Sequence, residues 1–281
     1  MIKTVAITGS EGFVGSHLSN VLLANNYNVI RLDIKNGFDL LSTNSFNTHP
    51  AFDLIIHLAA KVFVPDSFDN PADFLSFNYT TTLNALEIAR KYSAKFIYMS
   101  SYIYGTPEYL PIDENHPIKP HNPYAFSKLN GENLTKCYNV NYNIPALILR
   151  PFNLYGPNQA EAFLISKIVA QALSGKIILN DPRPKRDFLH ISDFVALIQK
   201  ILEKNFDDFG IYNVGSGVSY SVSEIVGIVN SLFQNTLHVE YSNQVRPNEV
   251  LNTVANIEKI NKTFDWVPAM TLYDGLSNII N

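Results

Sequence analysis

Thr8-Gly9-Ser10-Glu11-Gly12-Phe13-Val14-Gly15 is the stretch whose reading decides the fold. Before it, residues 3–8 form a short apolar run of strand type; after it, Phe13, Val14, Leu18, Val21 and Leu22 recur at helical spacing. Strand, glycine turn and helix in that order suit a dinucleotide. Glycine permits the tight turn and a close backbone approach, and the helix N-terminus offers amide groups and a positive dipole end to a pyrophosphate. Gly9, Gly12, Phe13, Val14 and Gly15 are the candidate contacts. Asp33 ends the next strand, where a carboxylate would accept hydrogen bonds from ribose hydroxyls and repel a 2'-phosphate. NAD(H) is therefore expected over NADP(H).

Outward from this motif the pattern repeats. Residues 28–33, 53–58, 95–100 and 146–150 read as buried strands, and 71–91 and 124–138 as helices. Alternating strands and helices predict an α/β chain with a doubly wound parallel sheet, and the loss of that alternation in the last third predicts a smaller C-terminal α/β substrate-binding region. The expected division is a nucleotide-binding domain over 1–155, rejoined by 188–215, and a substrate-binding region over 156–187 and 216–281.

Composition excludes several classes. With 281 residues, 46% hydrophobic and 16% charged, the chain is globular rather than disordered. Its net charge of -4 is spread without a basic stripe, so nucleic acid is not an expected partner. The single Cys137 can form no internal disulfide, no metal site is expected, and no apolar stretch approaches the roughly 20 residues of a membrane span. A soluble cytoplasmic protein is expected.

Chemistry enters at Asn122-Pro123-Tyr124-Ala125-Phe126-Ser127-Lys128. Spacing of four on a helix puts Tyr124 and Lys128 on one face, a turn apart. A free phenol ionises near pH 10, so bringing it to neutrality takes about 4 kcal/mol of anion stabilisation, which a nearby ammonium and a nicotinamide charge can supply. Lys128 is expected to depress Tyr124. The motifs so far resemble the extended short-chain dehydrogenase/reductase family, and the resemblance implies a third hydroxyl at the end of 96–101: counting from the strand gives Ser101, and counting back from Tyr104-Gly105 gives Ser100. Ser101 is preferred as the catalytic group, with Ser100 toward the cofactor.

Taken together these motifs resemble the extended short-chain dehydrogenase/reductase family, in its NAD-dependent epimerase/dehydratase branch that acts on nucleotide sugars, and the similarity covers nearly the whole chain. The resemblance implies a Rossmann-type fold. It implies cofactor contacts from Asp39-Leu40, from Leu58-Ala59-Ala60 within His57-Leu58-Ala59-Ala60, from Asn78, and from Pro151 beside Tyr124 and Lys128. His57 itself reads as a core histidine. On the substrate side it implies Asn153 after Arg150-Pro151-Phe152, Phe163 as a pocket wall, and Arg186 and Arg246 as a two-point clamp on a diphosphate. Glu249 would bond the nucleotide ribose. Family members often form homodimers through two long helices, here with Phe74, Leu83, Leu86 and Leu134 available.

Three chemistries share this machinery. Dehydratases of the family carry an acidic pair after the serine, where this chain has Tyr102 and Ile103, so elimination lacks its groups. Two readings stay open: reduction of a 4-keto-6-deoxy sugar nucleotide, like GDP-6-deoxymannose-type reductases, and epimerisation at carbon 4, as with UDP-glucose or UDP-N-acetylglucosamine. A non-catalytic dinucleotide sensor is the alternative from another class, which the joint presence of Ser101, Tyr124 and Lys128 opposes.

Overall fold

Val5, Ala6 and Ile7 are all fully buried along β1 (Thr4–Thr8), the continuous burial expected of a central parallel strand covered on both faces. The computed structural model describes residues 2–42, 50–245 and 249–280. After β1 come α1 (Phe13–Ala24), β2 (Asn28–Leu32), β3 (Leu54–His57), α2 (Val64–Asp69), α3 (Pro71–Tyr92), β4 (Lys95–Met99), α4 (Pro123–Tyr142) and β5 (Ala146–Pro151). The remaining elements are β6 (Asn153–Tyr155), α5 (Leu164–Leu173), β7 (Lys176–Leu179), β8 (Lys185–His190), α6 (Ile191–Lys204), β9 (Gly210–Val214), β10 (Ser219–Ser221), α7 (Val222–Leu232), β11 (His238–Tyr241), β12 (Asn252–Thr253), α8 (Glu258–Phe264) and α9 (Leu272–Ile280).

The main sheet runs in the order β2-β1-β3-β4-β5-β9, and β1/β2, β1/β3, β3/β4 and β4/β5 are parallel pairs. Strand order reverses at β1, with β2 on one side and β3 on the other. Right-handed crossovers then send α1 to one face and α3 and α4 to the other. That reversal is where an open α/β sheet binds its ligand, beyond the carboxyl ends of the strands, and the glycine turn follows β1 at that point. The Rossmann-type fold is as expected. The short helix α2 was not anticipated.

The chain divides into two compact units: one of residues 1–105, 117–151 and 195–213, the other of 106–116, 152–194 and 214–281. The boundaries differ from the expected ones. Residues 106–116 lie in the second unit, where Ile112 bridges Ala255, and 188–194 stay there because β8 pairs with β6, β10 and β12 rather than with the main sheet. The first unit's core gathers Ala6, Ile55, Phe96 and Ile148, and Phe74, Leu83, Leu86 and Leu134 also turn inward. Phe74 and Leu86 are buried, and Leu83 and Leu134 are half-buried against this core. A 3.6-residue period marks an apolar stripe, and here the stripe meets the chain's own core.

In the second unit Asp187 is fully buried and accepts from Ser216 N and Oγ, Gly217 N and Ala255 N at 2.7, 2.7, 3.0 and 3.1 Å. Burial pushes its carboxyl above the usual range, and these donors pull the other way. One side chain thereby anchors two loops. Asp187→Asn turns an NH2 toward these donors and should cost about 2 kcal/mol, an unfolding midpoint about 5 °C lower by scanning calorimetry.

Candidate active site

The glycine turn is built by steric exclusion. Gly9 has φ +68°, and a Cβ there would lie 2.8 Å from Ala59 N; on Gly15 it would lie 2.2 Å from the Gly9 carbonyl oxygen. Gly12 caps α1 with no side-chain acceptor, and no carboxylate stands in the first turn, so that helix end keeps its amides and dipole for an anion. Ser10 is fully buried, with no hydrogen-bond partner for its hydroxyl among the described residues. A dinucleotide pyrophosphate fits this arrangement of bare backbone and uncapped helix. Phe13 and Val14 open α1, half-buried at its first positions.

The other candidate cofactor residues surround the same end of the sheet. Asp33 accepts from Glu11 N at 3.1 Å and Lys35 N at 3.0 Å, so its carboxylate grips the glycine turn itself. Asp39 accepts from Leu41 N at 2.8 Å; the Leu40 side chain packs in the core and its carbonyl accepts from Asn84 at 2.6 Å. Leu58 N and Ala59 N both donate to Thr8 Oγ1, at 3.1 and 3.2 Å, and Ala60 follows half-buried. Asn78 is buried with its amide engaged: Lys61 N donates to its Oδ1 at 2.8 Å, and its Nδ2 donates to the Lys61 carbonyl and Ser127 Oγ. It ties the loop after β3 to α4. Pro151 closes β5, buried.

Helix α4 carries the candidate pair, Tyr124 and Lys128. Asn122 caps it by accepting from Ala125 N at 2.8 Å, and Pro123 stands in the first turn, so the helix start is fixed one residue before Tyr124. The Ser101 hydroxyl stands close enough to the Tyr124 phenol to draw its pKa down. Lys128 is 3% exposed; its Nζ donates to the Met99 carbonyl at 2.8 Å and stands 5.9 Å from the Tyr124 ring centre. Ser101, Tyr124 and Lys128 are thus brought together.

Electrostatics in the chain alone differ from the expectation for this pair. Burial pushes the Tyr124 phenol up to about 12, opposed by the Ser101 hydrogen bond, while burial draws Lys128 down to about 7, opposed by the Glu132 carboxylate. Desolvation is the largest cause for both groups, raising the phenol and lowering the ammonium. Tyr124 is a protonated acid at neutral pH. His57 is a satisfied core residue: its ring nitrogens bond Thr8 and Thr82 at 2.8 and 3.1 Å, and burial followed by the Lys128 charge brings it down to about 3.

Ser100 and Ser101 face different partners. Ser100 is buried and donates to Glu132 Oε1 at 2.6 Å, away from Tyr124. Glu132 in turn receives Arg150 through two bonds of 2.8 and 2.6 Å. Ile103 is buried and Tyr102 half-buried, so no carboxylate stands directly after Ser101.

The second unit holds the candidate substrate residues. Asn153 Nδ2 donates to the Asp187 carbonyl at 2.9 Å, and Phe163 caps α5 half-buried. Arg186 donates to the Val250 carbonyl at 2.6 Å and pairs with Glu249, side chains 17% and 14% exposed. Arg186 and Glu249 are therefore partners of each other. Arg246 lies outside the described residues. Among the described residues, no group of three or more His, Cys, Asp or Glu could hold a metal ion, and no helix is long and apolar enough to cross a membrane.

Residues 5–215 match the family model described as the NAD dependent epimerase/dehydratase family. The chain belongs to the NAD-dependent epimerase/dehydratase family. Among its relatives, a putative UDP-glucose 4-epimerase of Methanocaldococcus jannaschii is 34% identical over 99% of this chain and 97% of that protein. The GDP-6-deoxy-D-mannose reductase of Pseudomonas aeruginosa is 31% identical over 100% of this chain and 97% of its own. Among solved structures, RMD from Pseudomonas aeruginosa complexed with NADPH superposes with TM-score 0.89 at 30% identity, covering 99% and 97% of the two chains. The UDP-glucuronic acid 4-epimerase of Bacillus cereus, in complex with UDP-glucuronic acid and NAD, gives TM-score 0.90 at 27% identity over 99% and 98%.

Within this epimerase/dehydratase chain, binding of a nicotinamide dinucleotide is the family's property, and structures with NAD and with NADPH both stand among the relatives. Sequence reading missed Thr8, Tyr104, Glu132 and Asp187. Glu132 carried a signal: it stands four residues after Lys128, on the helix face already assigned to chemistry.

Proposed function

We propose that this member of the epimerase/dehydratase family transfers hydride at carbon 4 of a nucleotide-diphosphate sugar, and that its forward reaction is reduction of a 4-keto-6-deoxy sugar nucleotide. The observation that carries the reading is the Ser101–Tyr124–Lys128 arrangement with its phenol held protonated. Reduction needs a proton donor at the carbonyl oxygen. Tyr124 gives that proton, Ser101 donates a second hydrogen bond to the same oxygen as charge develops on it, and Lys128 holds the site electropositive. A bound nicotinamide dinucleotide supplies the two electrons. Tyr102 and Ile103, without a carboxylate between them, suit a reaction with no elimination step.

Epimerisation at carbon 4 is the second reading, favoured by Asp33. Its carboxylate beside the glycine turn suits NAD(H), which an epimerase must keep through both half-reactions. Asp33→Ser should weaken NADH about tenfold while weakening NADPH little, removing the repulsion toward a 2'-phosphate; fluorescence titration of both cofactors measures this. Equal losses for both would mean that Asp33 only braces the turn.

Turnover decides between the readings. The protein is incubated, with and without NADH, with UDP-, GDP-, dTDP- and CDP-sugars and their 4-keto-6-deoxy forms. NADH consumption matching loss of the keto sugar supports reduction, and isomerisation without net cofactor change supports the epimerase. Tight dinucleotide binding with no turnover of any substrate sinks both.

A further inference from the structure

Ser101, Tyr102 and Ile103 form a short link whose two ends are tied to one buried ion pair. Before the link, Ser100 donates to Glu132 at 2.6 Å; after it, the Tyr104 hydroxyl accepts from Arg150 Nη1 at 2.9 Å and donates to Asn213 Oδ1 at 2.6 Å. The Glu132 and Arg150 side chains are 5% and 1% exposed and meet in two-point geometry. Glu132 stands on α4 one turn beyond Lys128, Arg150 on β5, and Ser100 directly after β4. The pair therefore joins every element that carries the trio.

Stability is a poor explanation for such an array. Desolvating two ions roughly cancels their attraction, and apolar residues of similar volume would hold these elements together as well. What apolar packing does not provide is direction. Ser100 just before Ser101 and Tyr104 three residues after it both bond the ion pair, so the array constrains the backbone that aims the Ser101 hydroxyl.

We propose that Ser100, Tyr104, Glu132 and Arg150 form a staple that sets the Ser101 hydroxyl against the Tyr124 phenol, with Ser100 and Tyr104 as positioning residues for the reaction. The proposal rests on the hydride-transfer reading above. Its logic is that of reacting groups held close to productive geometry, where an error of about 1 Å costs on the order of 100-fold in rate.

Ser100→Ala and Tyr104→Phe each cut one end of the staple and leave the ion pair intact, so both variants should fold. With the panel substrate that the parent turns over fastest, each should lower kcat about tenfold with KM changed less than about threefold. The primary isotope effect from 4-deuterated NADH should rise, and amides of residues 101–105 should exchange faster with deuterated solvent. A lowered melting temperature with kcat within twofold of the parent, while Tyr124→Phe is inactive, overturns the staple and leaves the hydride-transfer reading standing. A Tyr124→Phe variant as active as the parent overturns the reading and the staple's role with it.

Discussion

Tyr124→Phe is expected to lower kcat at least about 1,000-fold while leaving dinucleotide affinity within about twofold of the parent. The substitution removes one oxygen. Ser101 keeps a hydroxyl and Lys128 keeps its bond to the Met99 carbonyl, so the shape and most of the charge of the site survive. What is lost is the acid: burial holds the phenol at about 12, so in the neutral range it always carries the proton that a reduced carbonyl oxygen must receive. Solvent can replace it only poorly, since general acid catalysis contributes about 100-fold to 10,000-fold. Stopped-flow absorbance of NADH with excess keto sugar measures the step directly. A loss below tenfold would mean that another group gives the proton.

Gly15→Ala is expected to abolish dinucleotide binding and to destabilise the chain by about 3 kcal/mol. The new Cβ would lie 2.2 Å from Gly9 O and 2.7 Å from Ser10 Cα, both backbone atoms that no rotamer change can move. Relief requires α1 to withdraw from the turn. Withdrawal takes the helix amides away from the pyrophosphate, so stability and binding fall together. Gly12→Ala is the control, because its Cβ would meet only Gly9 O, at 3.3 Å. It should bind within about tenfold of the parent, and calorimetric titration with NADH separates the two. Parent-like binding by Gly15→Ala would place the cofactor's phosphates elsewhere.

Much of this was legible in the residues because it is local. The β1-turn-α1 unit, the cap at Asn122 and the Tyr124/Lys128 face depend on neighbours within a few positions, where spacing and propensity speak directly. Strand register points to Ser101 over Ser100; Ser100 donates to Glu132, whereas Ser101 draws the Tyr124 phenol down. The staple is different in kind. Arg150 and Glu132 lie 18 residues apart and Tyr104 lies 46 from Arg150, and only the adjacency of β4, β5 and α4 brings them together. For Phe74, Leu83, Leu86 and Leu134 the stripe is local and its cover is not: periodicity marks the stripe and is silent on what packs against it, here the first unit's own core. Arg186 and Glu249, expected to hold substrate, are paired with each other, an outcome that depends on β8 and the segment before β12 being neighbours.

Helix α4 behaves as a ruler. Tyr124, Lys128 and Glu132 mark it at intervals of about 6 Å, all on one side, while Phe126, at 49% exposure, and Asn130 turn toward solvent between them. Side chains at the outward marks can be exchanged freely. Residue count between the inward marks cannot, because inserting or deleting one position turns everything beyond it by about 100°. Such a frameshift in space would part the phenol from the ammonium, or the ammonium from its carboxylate, without altering a single functional group. Homologous chains should therefore vary in letters at outward positions such as 126 and 130, and never in length across 124–132.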